Sequence, residues 1–92
     1  MREKKALKEL ESYVLGTYAE HYAKNGTQAI DLIIDSGYGV DHSMACVIKY
    51  AARMGKKDGA DPKHDIMKMA HYCLIALVAL EKGGEGNGEL AP

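Results

Sequence analysis

Phenylalanine and tryptophan are absent from this 92-residue chain, although 47% of its residues are hydrophobic. The apolar bulk therefore comes from Ala, Leu, Ile, Met and Tyr, a mixture that suits helices. No apolar run is long enough to span a bilayer, and the start MREKKALKELE reads as too charged for a signal peptide, so a cytoplasmic protein without a membrane partner is expected. Cysteine is nearly missing. Cys46 and Cys73 lie in apolar surroundings without C-x-x-C spacing, and they read as reduced core residues, not as a disulfide or metal framework. Net charge is also small, at −1, which removes the whole-domain basic field that duplex nucleic acid requires, so a nucleic-acid partner is not expected. Missing too are the G-x-x-x-x-G-K-[ST] loop and any nucleophile elbow around Ser12, Ser36 or Ser43. The usual phosphate cradle of ATP-using enzymes drops out, no catalytic residue is assigned, and no cofactor is expected.

What the chain does contain is charge concentrated locally. Residues 47–71 hold six Lys/Arg against three Asp, and the run VIKYAARMGKKDG places Lys49, Tyr50, Arg53, Lys56 and Lys57 together. If residues 43–55 are helical, Lys49, Arg53 and Lys56 stand at i, i+4 and i+7 and project from one face as a comb for phosphates, with Val47, Ile48, Ala51, Ala52 and Met54 as apolar cover. An ordinary solvated basic face has the same pattern. The N–H groups opening the last helix offer a further anion site, with Lys56 and Lys57 in the loop that leads to it.

The periodicity predicts an all-α fold of four helices in one domain over residues 1–82. Residues 3–23 carry a stripe of Leu7, Leu10, Val14, Thr17, Tyr18 and His21 at helical steps. Thr27 can cap a short helix through Asp35 that buries Ile30, Ile33 and Ile34. Gly37 and Gly39 bracket Tyr38 in a tight connection, after which Asp41 or Ser43 can cap a helix ending near Gly55. Asp61 followed by Pro62 marks the start of a last helix from 62 to 82. In it, Asp61, Asp65, Lys68 and Tyr72 form a polar strip, whereas Cys73 to Leu80 is apolar nearly all round. A chain this short buries only roughly 60–65% of its extended surface, so subunit contacts are expected to cover that segment in a homo-oligomer. GGEGNGELAP lacks periodicity, and residues 83–92 read as a disordered Gly-rich tail.

The histidines do not build a metal site. His64-Asp65 is the HD dipeptide of helical phosphohydrolases, but the further ligands such sites need are missing, and His64 and His71 lie two turns apart, too far to share a cation within one helix. Those two are expected at a surface or subunit contact, and His42 has no assigned role.

HYAKNGTQAIDLI, VIKYAARMGKKDG and HDIMKMAHYCLIALVALEK together resemble a small phage domain family that includes a phage nucleotide kinase and many proteins of unassigned function. The similarity spans residues 21–82. Its carriers are His21, Tyr22, Ile30, Asp31, Lys49, Tyr50, Arg53, Gly55, Lys56 and Lys57, with Asp65, Lys68 and Tyr72 in the closing helix. The resemblance implies a virus-encoded helical oligomer that handles nucleotides in the host cytoplasm. Three functions follow as expectations. The first is a nucleotide-sequestering protein, a sponge for a nucleotide or cyclic-nucleotide defence signal, in which Lys49, Arg53, Lys56 and Lys57 hold phosphates while Tyr22, Tyr50 or Tyr72 stacks on a base and His21, Asp65 and Lys68 orient it. The second is a nucleotide kinase with His21 or Asp65 as proton acceptor. The third is a structural or interaction module whose basic face is only solvated.

Overall fold

The computed structural model describes residues 1–25, 29–56, 59 and 61–87, with side chains described for 1–19, 29–56, 59 and 61–82. Every regular element among them is a helix: α1 Glu3–Asn25, α2 Ala29–Asp35, α3 Gly39–Arg53 and α4 Pro62–Asn87. None is long and apolar enough to cross a membrane. The four expected helices are all present. α4 continues five residues beyond the expected end at 82, because adding a turn to an existing helix avoids the cost of nucleation even where Gly83, Gly84 and Gly86 are poor formers. Residues 88–92 of the expected tail, and the expected cap Thr27, lie outside the described residues.

α3 and α4 form an antiparallel hairpin that is the main packing unit, with α2 against α3 and α1 laid more lightly against α4. The α2–α3 connection has no spare residue. Gly37, at φ +90°, donates to the Ile34 carbonyl at 3.0 Å, and Tyr38 donates to the Ile33 carbonyl at 3.1 Å. These two bonds make a Schellman motif, which needs a left-handed residue where glycine stands. Tyr38 is at once the residue after that motif and the cap of α3, its carbonyl accepting from His42 N–H at 2.9 Å. That compactness displaces the expected caps: Asp41 falls in the first turn of α3, and Ser43 is fully buried inside the helix. At α4, by contrast, Asp61 Oδ1 accepts from Lys63 N–H at 3.0 Å ahead of Pro62, as its sequence position predicts.

The buried side of α3 is not its aliphatic side. Gly39, Ser43 and Tyr50 are buried, whereas Ile48 is 69% exposed and Ala51, Ala52 and Met54 are also exposed. Small residues here let the helices approach closely. A Cβ built on Gly39 would lie 2.6 Å from Ala79 Cβ and 3.1 Å from Ile34 Cγ1. On α4 the pattern is also reversed, since Asp65 is buried together with Ile75 and Ala76, while Leu74, Leu77, Val78 and Leu80 are exposed. Cys46 is half-buried, but Cys73 is exposed and not a core residue as expected, because it lies on the side of α4 turned from α3.

α1 rests on α4 through aromatic edges. Tyr13 meets His64 and His71 edge-on at 6.0 Å, and Tyr18 meets His71 at 5.5 Å. Leu10, Val14, Thr17 and Tyr18 are half-buried along the expected stripe, whereas Leu7 is exposed. Surface ion pairs add Lys63 to Glu9 at 2.5 Å and Lys82 to Asp35, contributing little each because both partners are solvated.

The glycines make the packing testable. Gly39→Ala should destabilise by about 1–3 kcal/mol through overpacking. Gly16→Ala, at an exposed helical site with nothing within 4 Å of the new methyl, should instead stabilise by up to about 1 kcal/mol. Urea unfolding with an unchanged slope checks both.

Candidate functional site

Where the hairpin closes, the last turns of α3 face the first turns of α4, and six charged and aromatic side chains converge. Tyr50 is buried, and three cations surround its ring: Arg53 Cζ at 4.5 Å from the centroid, Lys49 Nζ at 5.0 Å and Lys68 Nζ at 5.2 Å. All lie within cation–π range, where the quadrupole of the ring attracts positive charge. Asp65, 3% exposed, receives Arg53 Nη2 at 3.5 Å, and its place near the N-terminus of α4 further favours its negative charge. Tyr72 stacks on Tyr50 with ring centres 6.1 Å apart and planes 20° from parallel. Three cations against one carboxylate leave an excess of two positive charges, a fixed field suited to an anion.

Tyr72 and Lys68 also belong to a second feature, a cavity of about 310 Å³ lined by residues of all four helices. Its polar and aromatic wall comprises Tyr13, Tyr18, His42, Lys68, His71 and Tyr72, above a floor that includes Ile30 and Ile33. The size is at the lower end of the roughly 300–1,000 Å³ typical of small-molecule sites. Burial pushes the Tyr72 hydroxyl up to about 12, with the neighbouring Cys46 thiol adding to the effect, so this hydroxyl stays protonated at neutral pH. Burial lowers the His71 pKa, and its Nε2 is buried without a hydrogen-bond partner. Tyr18 is raised by burial and then by the charge of Asp31. The cavity is thus largely ring-lined, and Lys68 in its wall connects it to the cationic cluster. A larger open groove of about 960 Å³ between the first turns of α1 and α4 is lined in part by Ser12, Asp61 and His64 but by none of the residues that the sequence reads as ligand-binding.

Of those residues, Lys49, Tyr50, Arg53, Asp65, Lys68 and Tyr72 come together. Lys56 does not continue the comb: α3 ends at Arg53, Gly55 takes φ +76°, and Lys56 follows exposed in the turn. Lys57 lies outside the described residues. His21 and Tyr22 lie in the last turns of α1, with side chains outside the described set. The HD dipeptide is split, His64 packing on Tyr13 and Asp65 on Arg53, and among the described residues no group of three or more His, Cys, Asp or Glu side chains could hold a metal ion. Sequence reasoning missed the cavity wall from α1. Tyr13, Thr17 and Tyr18 do recur at helical spacing, but that signal marks ordinary packing equally well.

These features define a small all-helical domain with a cation-ringed tyrosine beside an aromatic cavity. Residues 16–73 match the family described as a protein of unknown function, DUF3310, and the chain belongs to that family. The matched stretch contains all six convergent residues, while the description names no activity and gives no link to a nucleotide kinase. No curated protein and no solved structure matches the chain.

The depressed His71 pKa has a defined consequence. Below its ordinary value of 6.5 the unfolded chain takes up a proton that the folded chain resists, so stability is lost as pH falls from neutrality. Thermal unfolding between pH 7.5 and 5 should show that loss, and His71→Asn should flatten it. At the alkaline end, Tyr72 should ionise near 12, and Tyr72→Phe should remove that step from the tyrosinate absorbance titration.

Proposed function

We propose that this protein binds a nucleotide, with phosphate held by Lys49, Arg53 and Lys68 and the base received against the rings of the adjoining cavity. The observation that carries the reading is the convergence of three cations on the buried ring of Tyr50, with a single carboxylate to balance them. A solvated basic face would spread its charges outward. Here Lys68 is half-buried, and it connects the charge cluster to an aromatic cavity. Lys56, exposed in the adjoining turn, extends the phosphate reading toward a further phosphate.

We favour retention over turnover. Phosphoryl transfer needs a donor and an acceptor held in line, and a cavity of about 310 Å³ suits one nucleotide-sized ligand. Asp65, the candidate proton acceptor of the kinase alternative, is buried against Arg53, which suits an orienting role. Retention without chemistry is what sequestration of a nucleotide or cyclic-nucleotide signal requires, and the phage resemblance makes a host defence signal the natural target. Self-association belongs to the same reading, supported by the exposed apolar residues of α4.

Isothermal titration with nucleoside mono-, di- and triphosphates and with cyclic nucleotides tests it. At least one should bind, and Lys49→Gln and Lys68→Gln should each weaken it by about 10- to 100-fold, the worth of a charge-assisted hydrogen bond of 1.5–3 kcal/mol. Incubation with a nucleoside triphosphate and monophosphates should show no transfer. Transfer would favour the kinase, and no binding to any nucleotide would sink both.

A further inference from the structure

The side of α4 turned away from α3 is apolar over about four turns. Ile66, Ala70, Cys73, Leu77 and Leu80 follow one another at steps of four, three, four and three residues, the spacing by which one helix presents a continuous seam to another. Ile66 is 52% exposed, Leu77 61% and Leu80 37%, and Leu74 and Val78 flank the seam, also exposed. No charged residue interrupts it. Asp65 and Lys68 face α3, and His64 packs on Tyr13. Charges stand at its two ends, Lys63 before Ile66 and Glu81 after Leu80, 18 residues and about 27 Å apart at 1.5 Å per residue.

We propose that this face is the contact with a second copy of the chain, packed antiparallel about a two-fold axis passing near residues 71 and 72. The end charges choose the direction. Parallel packing would set Lys63 against Lys63 and Glu81 against Glu81, whereas antiparallel packing sets each Lys63 beside Glu81 of the other copy. Glu81 has no ion-pair partner among the described residues, and Lys63, although it contacts Glu9, is 66% exposed and retains donors. The antiparallel register lays Ile66 opposite Leu77 and Ala70 opposite Cys73. Small residues thus meet at the centre, where the helix axes can approach toward the close end of the 8–10 Å range. The contact is isologous, so it closes after two copies and leaves no further sticky surface of the same kind. Asp65, Lys68 and Tyr72 lie on the opposite side of α4, so each copy keeps its own candidate site facing outward.

This interface rests on the self-association proposed above, and sedimentation velocity combined with cross-linking separates the two. The full chain should sediment as a dimer. Leu77→Glu should weaken dimerisation at least tenfold with the helical circular dichroism unchanged, since Leu77 is already exposed in the single chain. Lys63→Glu should weaken the dimer and the Lys63→Glu, Glu81→Lys double variant should recover it; a parallel pair would not feel the single change. In the wild-type chain a short bifunctional maleimide should link Cys73 to Cys73, and Cys73→Ser should abolish the product. A monomer at high protein concentration would overturn self-association itself. A dimer indifferent to Leu77→Glu, or lacking the Cys73 cross-link, would overturn this interface while leaving self-association in place.

Discussion

A carboxylate that is 3% exposed imposes conditions on everything near it, and in this fold Asp65 is that carboxylate. Removed from water it must be neutralised or matched, because isolated buried charge costs several kcal/mol. Arg53 supplies the match from the end of α3, at 3.5 Å, and the N-terminal end of the α4 dipole adds to it. At 4 Å and an effective dielectric of about 20, the Coulomb attraction is about 4 kcal/mol, reduced here because Arg53 is 44% exposed and partly screened. The pair therefore does more to set the register of the hairpin than to add stability. With Arg53 drawn to Asp65, Tyr50 is buried beneath both, and Lys49 and Lys68 are carried to its ring.

The same constraint explains why the hairpin is built inside out. Polar Asp65 and half-buried Lys68 face α3, so apolar side chains on the far arc of α4 have no place in the core. Further along, where Gly39 brings α3 within contact of Ala79, the gap admits only small side chains, which again leaves Leu74, Leu77 and Val78 outside. Fully buried Ser43, whose hydroxyl lacks a partner, fits this geometry: a larger side chain would separate the helices, and the unmade hydrogen bond costs about 1–3 kcal/mol. The chain thus concentrates its inward face on electrostatics and close approach, and its greasy surface is turned to solvent.

Much of the fold is legible in the sequence because it depends on local signals. Asp61-Pro62 marks a helix start whose cap needs only neighbouring atoms, and Gly37 marks a left-handed turn that few other residues can adopt. The number and type of helices follow from periodicity in the same way. Sidedness does not. Reading Ile48, Ala51 and Met54 as cover assumes that apolar means buried, and in α3 the opposite choice was made by a partner helix carrying Asp65 and Tyr72. The candidate site is half legible for a related reason. The basic run announces Lys49 and Arg53, and periodicity and the resemblance both mark Asp65, Lys68 and Tyr72, but no sequence signal pairs the two sets, and the α1 contribution of Tyr13 and Tyr18 depends on a helix crossing that no local pattern encodes. Lys56 leaves the shared helical face because α3 ends at Arg53, short of the expected end near Gly55, and Gly55 takes a left-handed turn.

The two unusual features of the molecule, an over-charged interior corner and an over-apolar exterior, are best understood as one arrangement. A 92-residue chain has little core to spare, and the radius of gyration of 14.7 Å exceeds the roughly 12 Å of a compact chain of this length. If the charged cluster were only structural, replacing it with aliphatic side chains and turning α4 by half a turn would bury more surface and relieve the repulsion among three cations. Buried ionic groups are readily outperformed by apolar packing where stability alone is at stake. On the proposed reading, the cluster faces a ligand whose negative charge completes it. The exterior then follows, because an α4 held in that orientation must cover its apolar arc with something other than its own core.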